Sequence, residues 1–475
     1  AVSSTNMKTE IAEYYHLESD WIIEVDITAN RADALSHYGV ARDLYAWLRQ
    51  NGYTTSLHRP SCDEFAVDNN DMPIKVTLLN TDACRRYACV SITGCKVAES
   101  PEWLKNKLTV VGLRPVNNIV DITNYVMLAY GQPLHCFDAD MIDGHHIIVK
   151  DGNEGRKFVT LDGEEHTLGA HDLAICNENE PMCIAGVFGG KGSGTYTTTT
   201  NVVLESAWFH PTWIRKSARR HGLSTDASFR FERGVDPNGT IYALKQAAIL
   251  CKRLAGGKVS MEICDEYPTR MEDFPVTLFY DYVNNLIGKE IGKETIKSIV
   301  ESLEMRIVSE TEDKIDILVP AYRVDVQRPC DVVEDILRIY GYNNVEIPTQ
   351  LRSSLVLPEN EDRKHQLENI VGEQLVGCGF NEILNNSMSK TSYYKGLNVY
   401  TEKTTVKVVN PLSADLGVMR QTLLFGGLES IMRNVNRKSP NLRFFEFGNC
   451  YHYNPDKKDE DCPINAYAEE THLAL

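Results

Sequence analysis

Apolar and polar positions follow two rhythms along this chain, and the changes between them divide it into four segments. In the first, Trp21-Ile-Ile-Glu-Val-Asp26 reads as a strand and Ile27 to Asp33 as a polar loop. Leu35-Ser36 then opens a helix capped by Ser36, with Val40, Ala41, Leu44, Trp47 and Leu48 on one face and Gly52 as its stop. Ser56 to Met72, broken by Pro60 and Asn69-Asn70-Asp71, reads as a linker. In the second segment, residues 76–79, 88–92, 146–150, 173–176 and 202–206 are strand-like, and 103–111 and 242–255 helix-like. Such mixing, with many glycines, indicates an α+β domain. The third holds a helix over 293–303, a hairpin with arms 306–309 and 314–320, and a helix over 331–340 closed by Gly341. That order suggests a small winged or helix-turn-helix module. The fourth, after Pro348 and Pro358, begins with an amphipathic helix over 365–377 and a strand over 380–384. The expected fold class is α+β and multidomain, with segments 1–73, 74–265, 273–347 and 355–475. The apolar run His472-Leu-Ala-Leu475 has no turn after it, so a longer parent protein is expected.

Composition narrows the function classes. Of 475 residues, 49 are Lys or Arg and 66 Asp or Glu, for a net charge of −17. That surplus argues against gripping nucleic acid over most of the surface, so any such contact is local or shared. No stretch reaches the roughly 18–20 apolar residues of a membrane span, and residues 1–10 lack the apolar core of a signal peptide. The thirteen cysteines include no Cys-x-x-Cys, and Cys84 and Cys89 have no matching second pair for zinc. Scattered cysteines fit a reducing, cytoplasmic setting.

Several residues carry chemistry, each with a plainer reading beside it. Glu205, in Val202-Val-Leu-Glu-Ser206, is either a carboxylate held among apolar residues or a solvated strand position. Gly186 and Gly189, in Ala185-Gly-Val-Phe-Gly-Gly190, either let backbone approach a ligand or form a tight turn. A phosphate-binding loop fails there, since Ala185 and Gly192 replace the glycine and hydroxyl residue it needs. Thr123, Asn124 and His135 could hold a water and oxyanion donors, or be turn and core residues. Arg215, Lys216, Arg219 and Arg220 share one helical face, which is a nucleic-acid patch or a solvated face. Asp331, Glu334 and Asp335, with Asp325 before them, could gather a hard cation or complement a helix dipole.

A set of strings, in order, resembles the β subunit of bacterial phenylalanyl-tRNA synthetases. They are Asp26-Ile-Thr-Ala-Asn-Arg-Ala-Asp-Ala-Leu-Ser36, Arg114-Pro-Val-Asn-Asn-Ile-Val-Asp-Ile-Thr-Asn-Tyr-Val126 and Gly131-Gln-Pro-Leu-His-Cys-Phe-Asp138, then the 185–190 loop and Ser228-Phe-Arg-Phe-Glu-Arg-Gly-Val-Asp-Pro237. Asp331-Val-Val-Glu-Asp-Ile-Leu-Arg-Ile-Tyr-Gly-Tyr342, Asn410-Pro-Leu-Ser413 and Phe445-Glu-Phe-Gly448 continue it. The resemblance implies a subunit of phenylalanine–tRNA ligase that hydrolyses tyrosine misattached to tRNA(Phe). An apolar pocket rejects an added hydroxyl only by about 10²-fold, whereas a site that hydrogen-bonds the hydroxyl discriminates by about 10⁴–10⁵. The resemblance assigns Glu205 to that hydroxyl, Gly186 and Gly189 to the pocket wall, Thr225 and Ala227 to its floor, and Thr123, Asn124 and His135 to the scissile ester.

It also implies an α-subunit partner in an α2β2 assembly, tRNA(Phe) at residues 215–220, no membrane, ATP used by the α subunit, and Mg²⁺ shared with it through Asp325, Asp331, Glu334 and Asp335. At the last of these the family usually has Glu, one methylene longer. The fourth segment resembles an incomplete class II synthetase core in which the loop Leu442-Arg-Phe-Phe-Glu446 is a worn second motif and the third motif is missing, so it implies catalytic silence and a core or interface role for Phe425, Phe445 and Phe447. The family's N-terminal barrel and C-terminal anticodon-binding module have no counterpart. A different class of reading remains: a scaffold that docks tRNA without editing.

Overall fold

The computed structural model describes residues 21–350 and 360–475, in two compact units that divide at Ile347 and Pro348. Expectations for residues 1–20 and 351–359, including the break at Pro358, lie outside the described residues.

The first unit runs α1 (His37–Gln50), β1 (Lys75–Leu78), β2 (Cys84–Thr93), α2 (Glu102–Val110), α3 (Asn118–Tyr130), β3 (Leu134–Asp138), β4 (His146–Lys150), β5 (Lys157–Val159), β6 (Glu165–Thr167), β7 (Ala174–Cys176), β8 (Pro181–Ile184), β9 (Phe188–Gly189) and β10 (Val202–Phe209). It continues α4 (Pro211–His221), α5 (Asp226–Phe231), α6 (Thr240–Ala255), β11 (Lys258–Val259) and β12 (Cys264–Glu266), then β13 (Phe274–Phe279), α7 (Tyr280–Ile287), α8 (Lys293–Ser302), β14 (Arg306–Glu310), β15 (Lys314–Val319) and α9 (Pro329–Tyr340). The architecture is mixed α/β with antiparallel-rich sheets. One sheet has the order β1-β4-β7-β8-β9, with β1 parallel to β4. The other is antiparallel, with β10 between β2 and β3, and with β11 and β12 on the outer edge of β2.

All eight residues of β10 are buried. Both its edges are paired, and α6 covers one face, where the Ser206 hydroxyl donates to the Thr240 carbonyl at 2.8 Å. A strand buried on two sides reads as a continuous apolar run, which Val202-Val-Leu does until Glu205 interrupts it.

Three expectations for the first segment need correction. No strand forms over Trp21–Asp26, where Trp21, Ile22 and Ile23 are exposed. Helix α1 is capped as expected, by Ser36 Oγ accepting the Gly39 amide at 3.0 Å. Its apolar stripe, however, faces outward: Val40, Leu44 and Trp47 are exposed, while Gly39, Arg42 and Ala46 are buried. The cause is Arg42, which donates to Glu304 Oε2 at 3.0 Å and lies over the Tyr322 ring. Glu304 holds φ +63° to offer that carboxylate, and also accepts from Tyr322 at 2.7 Å. Finally, the 56–72 stretch is a strap rather than a free linker. Gln246 Nε2 donates to the carbonyls of Pro60 and Ser61, and Lys252 and Arg253 pair with Asp68 and Glu64.

Strand β15 pairs with β13 and β14 on its two edges, and its alternate residues Ile315, Ile317 and Val319 enter a core with Ile296, Ile299, Val332 and Ile336. The expected helix, hairpin and helix are present, joined by β13 and α7, which the pattern did not indicate.

The second unit holds α10 (Asn360–Gly377), β16 (Asn381–Glu382), β17 (Met388–Ser389), β18 (Val418–Met419), α11 (Leu424–Asn436), β19 (Phe444–Tyr453) and β20 (Tyr467–Ala474). The strand expected over 380–384 shrinks to the two residues of β16, parallel to β19. Residues 444–446 are strand rather than loop, and the final apolar run completes β20 against β19. Glu446 is buried, accepting from Arg420 at 2.7 Å and from Asn385. Phe445 is buried edge-on to Phe447, and Phe425 stacks on Tyr393. Three apolar side chains of α10, Leu367, Ile370 and Val376, are exposed, while Val371 and Leu375 are half-buried.

Candidate functional site

Strand register places Glu205 on β10 directly opposite His135 on β3. Opposite residues of an antiparallel pair project to the same face. Glu205 is 4% exposed. Burial pushes its carboxyl from the usual 4.5 up to about 8, against the opposing effect of the Tyr87 hydroxyl, which donates to Oε2 at 3.1 Å. At neutral pH Glu205 is therefore mainly a neutral acid, which both donates and accepts. Burial pushes His135 the other way, down to about 4, so its ring is neutral, and its enclosed Nε2 has no hydrogen-bond partner. Phe137 holds the ring edge-on at 4.5 Å between centroids.

The 185–190 loop reaches the His135 ring at Gly189. A Cβ at Gly189 would lie 2.6 Å from His135 Cε1, so only glycine lets the ring rest on the loop backbone. Gly186 has φ +65°, and a Cβ there would meet Phe209 and Phe231 at 3.0 Å. It shapes the β8–β9 turn over the core. Thr225 caps α5 in a capping box with Ser228, and its hydroxyl donates to the Val187 carbonyl at 3.0 Å. That bond ties the loop to α5, where Ala227 is half-buried. Thr123 and Asn124 lie on α3, which packs on β3. Thr123 is buried and donates to the Val120 carbonyl of its own helix, and Asn124 is half-buried. A cleft of about 380 Å³ opens beside Gly190, between Arg156, Phe158, Asn177 and Met182, and is lined by neither Glu205 nor His135.

Of the basic cluster on α4, Arg215, Lys216 and Arg219 are exposed. Arg220 is anchored: its Nη1 donates to buried Asp172 at 2.6 Å. Ser217 and His221 bind the same carboxylate, at 2.6 and 2.8 Å.

The expected carboxylate cluster does not assemble in this chain. Among the described residues no group of three or more His, Cys, Asp or Glu could hold a metal ion. Asp325 faces Arg323 and Asn30, Asp335 lies 2.7 Å from Arg323 and 3.1 Å from Arg338, and Glu334 is exposed. Asp331 accepts from the Arg328 guanidinium and the backbone amides at the start of α9, which hold its carboxyl below the usual range. Arginines already neutralise this surface, so the residues present do not fit a divalent ion.

Pattern alone missed Tyr87 and Asp172. Tyr87 carries no motif, and its role emerges only when β2 pairs with β10. Asp172 lies 45 residues from Ser217.

With this geometry in place, comparison with known proteins is informative. Residues 83–256 match the B3/4 domain, residues 276–342 the tRNA synthetase B5 domain, and residues 347–475 the phenylalanyl tRNA synthetase beta chain CLM domain. Two of these three domains are named for aminoacyl-tRNA synthetases. The chain is 62% identical over 463 residues to the phenylalanine–tRNA ligase beta subunit of Bacteroides fragilis, covering 98% of this chain and 56% of the relative. It is 50% identical to that of Porphyromonas gingivalis (98% and 56%) and 38% identical to that of Geobacter metallireducens (91% and 54%). A solved N-terminal fragment of the β subunit from Pyrococcus horikoshii shares 17% identity at a TM-score of 0.35, over 72% of this chain and 95% of that one. Over nearly its whole length the chain is similar to phenylalanine–tRNA ligase β subunits, and it spans about half the length of the curated relatives it matches.

Proposed function

We propose that the B3/4 segment hydrolyses the ester of tyrosine misattached to tRNA(Phe). Glu205 reads the phenol, and His135, Thr123 and Asn124 surround the ester. The observation that carries this reading is the pairing of a buried neutral acid with a half-buried neutral imidazole whose enclosed Nε2 has no partner. A neutral Glu205 can exchange the Tyr87 hydroxyl for a substrate phenol without burying a bare charge. Phenylalanine offers no hydroxyl, and the buried polar group left without it costs about 1–3 kcal/mol. A ring that titrates near pH 4 orients an attacking water rather than taking its proton outright. Gly186 and Gly189 wall the pocket, and Thr225 and Ala227 floor it, with the small side chain at 227 leaving room for the ring. Arg215, Lys216 and Arg219 hold the tRNA acceptor end, on a helix fixed by Arg220.

In the assembled enzyme the chain supports aminoacylation by an α subunit, in an α2β2 tetramer in the cytoplasm. ATP and magnesium belong to that partner's chemistry, and no step here runs through them. We read residues 273–347 as a winged, helix-turn-helix-like module and 355–475 as a silent, incomplete class II-like core. Residues 1–73 form a leading segment and 74–265 the editing domain.

The test is deacylation of Tyr-tRNA(Phe) and Phe-tRNA(Phe) by the chain with its α subunit. The tyrosyl ester should be cleaved faster, and Glu205→Ala should erode that preference more than it slows cleavage overall. No cleavage of either ester by a complex that binds tRNA would leave the scaffold reading.

A further inference from the structure

The row that begins at His135 and Glu205 continues through Cys89 on β2 to Cys264 on β12. Directly opposed residues of an antiparallel pair have Cα atoms about 4.5–5.5 Å apart, within the roughly 4.4–6.8 Å that a disulfide spans. The two thiols are close enough to perturb each other's acidity. Both are free cysteines, Cys89 buried and Cys264 half-buried. Strand β12 has three residues and lies at the sheet edge, so it can shift to suit S–S geometry.

We propose that Cys89 and Cys264 are a dithiol site that hydroperoxides oxidise to an intrachain disulfide. The roles divide by access and acidity. The interaction with Cys89 favours thiolate at Cys264, and the same interaction, with burial, keeps Cys89 a thiol. The Cys264 thiolate attacks the peroxide O–O bond, becoming a sulfenic acid and releasing alkoxide or hydroxide, which takes up a proton. Cys89 then attacks the Cys264 sulfur, the S–S bond forms, and the sulfenic oxygen leaves as water with the Cys89 proton. Each sulfur loses one electron and the peroxide gains two. In a reducing compartment such a bond is transient and reversible.

The experiment treats the full chain with hydrogen peroxide, blocks remaining thiols, and maps linked peptides by mass. The Cys89–Cys264 pair should exceed every other linked pair at least several-fold, vanish with dithiothreitol, be absent in Cys264→Ser, and persist in Cys378→Ser, which removes an exposed cysteine. Linkage scattered among the cysteines would overturn the proposal, as would Cys264 reaching sulfinic acid while Cys89 stays unlinked. Oxidation beside Glu205 should also change the ratio of tyrosyl to phenylalanyl deacylation, a readout that rests on the editing proposal. Absence of deacylation in both redox states would sink that proposal and leave the disulfide result standing.

Discussion

Replacing Glu205 by Gln removes one titration and little volume, so it isolates the energetic consequence of the buried carboxyl. The folded-state value of about 8 lies above the usual 4.5. Between those values the folded chain binds more protons than the unfolded one, so the contribution of Glu205 to stability falls as pH rises. Each pH unit in that window is worth about 1.4 kcal/mol, and the whole interval about 5 kcal/mol as an upper bound. Below pH 4.5 the contribution is constant, and above about 8 the loss is complete. His135 acts in the opposite sense over another window. Its folded value of about 4 lies below the usual 6.5, so the folded chain binds fewer protons there and stability is lost as pH falls from 6.5 toward 4. The difference between the two proteins cancels most of that effect. All five tryptophans, Trp21, Trp47, Trp103, Trp208 and Trp213, belong to the first unit, so their fluorescence in urea reports its unfolding alone. Glu205→Gln should gain stability relative to the parent by about 1 kcal/mol per pH unit from pH 5 to 8 and then level off. Its amide adds a constant offset, since one buried donor lacks a partner. Parallel profiles for the two proteins would refute a neutral Glu205 and the recognition scheme built on it.

Gly189→Ala should displace the His135 ring, at a stability cost of about 1–3 kcal/mol, and abolish deacylation; a variant with parental rates would disconnect that ring from the chemistry. Asp172→Ala strips the anchor from Ser217, Arg220 and His221 and should destabilise the first unit by about 3–5 kcal/mol in urea titrations. Arg219→Gln should weaken tRNA binding and lower its salt slope by about one, while Arg220→Gln should show itself first as lost stability; equal effects on both readouts would contradict the division of α4 into contact and anchor. Glu205→Gln should keep more tyrosyl preference than Glu205→Ala, measured as the ratio of deacylation rates, because the amide still offers the phenol a partner.

Local signals were legible where the chain itself carries the physics. Strand β4 was readable to the residue, and Ser36 and Gly341 mark helix ends by their capping chemistry. The motif strings carried the β-subunit resemblance, and of the row that the fold assembles the sequence singled out His135 and Glu205 as candidates. Pattern failed where a distant partner decides. The outward stripe of α1 follows from Arg42 being drawn inward by Glu304, 262 residues away. Residues 21–26 have strand composition but no neighbouring edge, and β13 and β19 found edges that composition did not advertise. Carboxylate spacing on α9 suggested a cation, but Arg323 and Arg338 occupy the same surface, and only the fold brings Arg323 there.

Strand β10 carries the Glu205 carboxyl on a segment buried on two faces and bonded on two edges. Backbone amides of such a segment exchange with solvent deuterium only through the largest opening events of the fold. In the proposed editing role, Glu205 is thus a fixed gauge that does not yield to an ill-fitting ligand. Adjustment falls to the 185–190 loop, held to α5 through Thr225. On that proposal, altering what the pocket accepts by changing the loop leaves the gauge intact, whereas any change on β10 trades selectivity against the integrity of the domain.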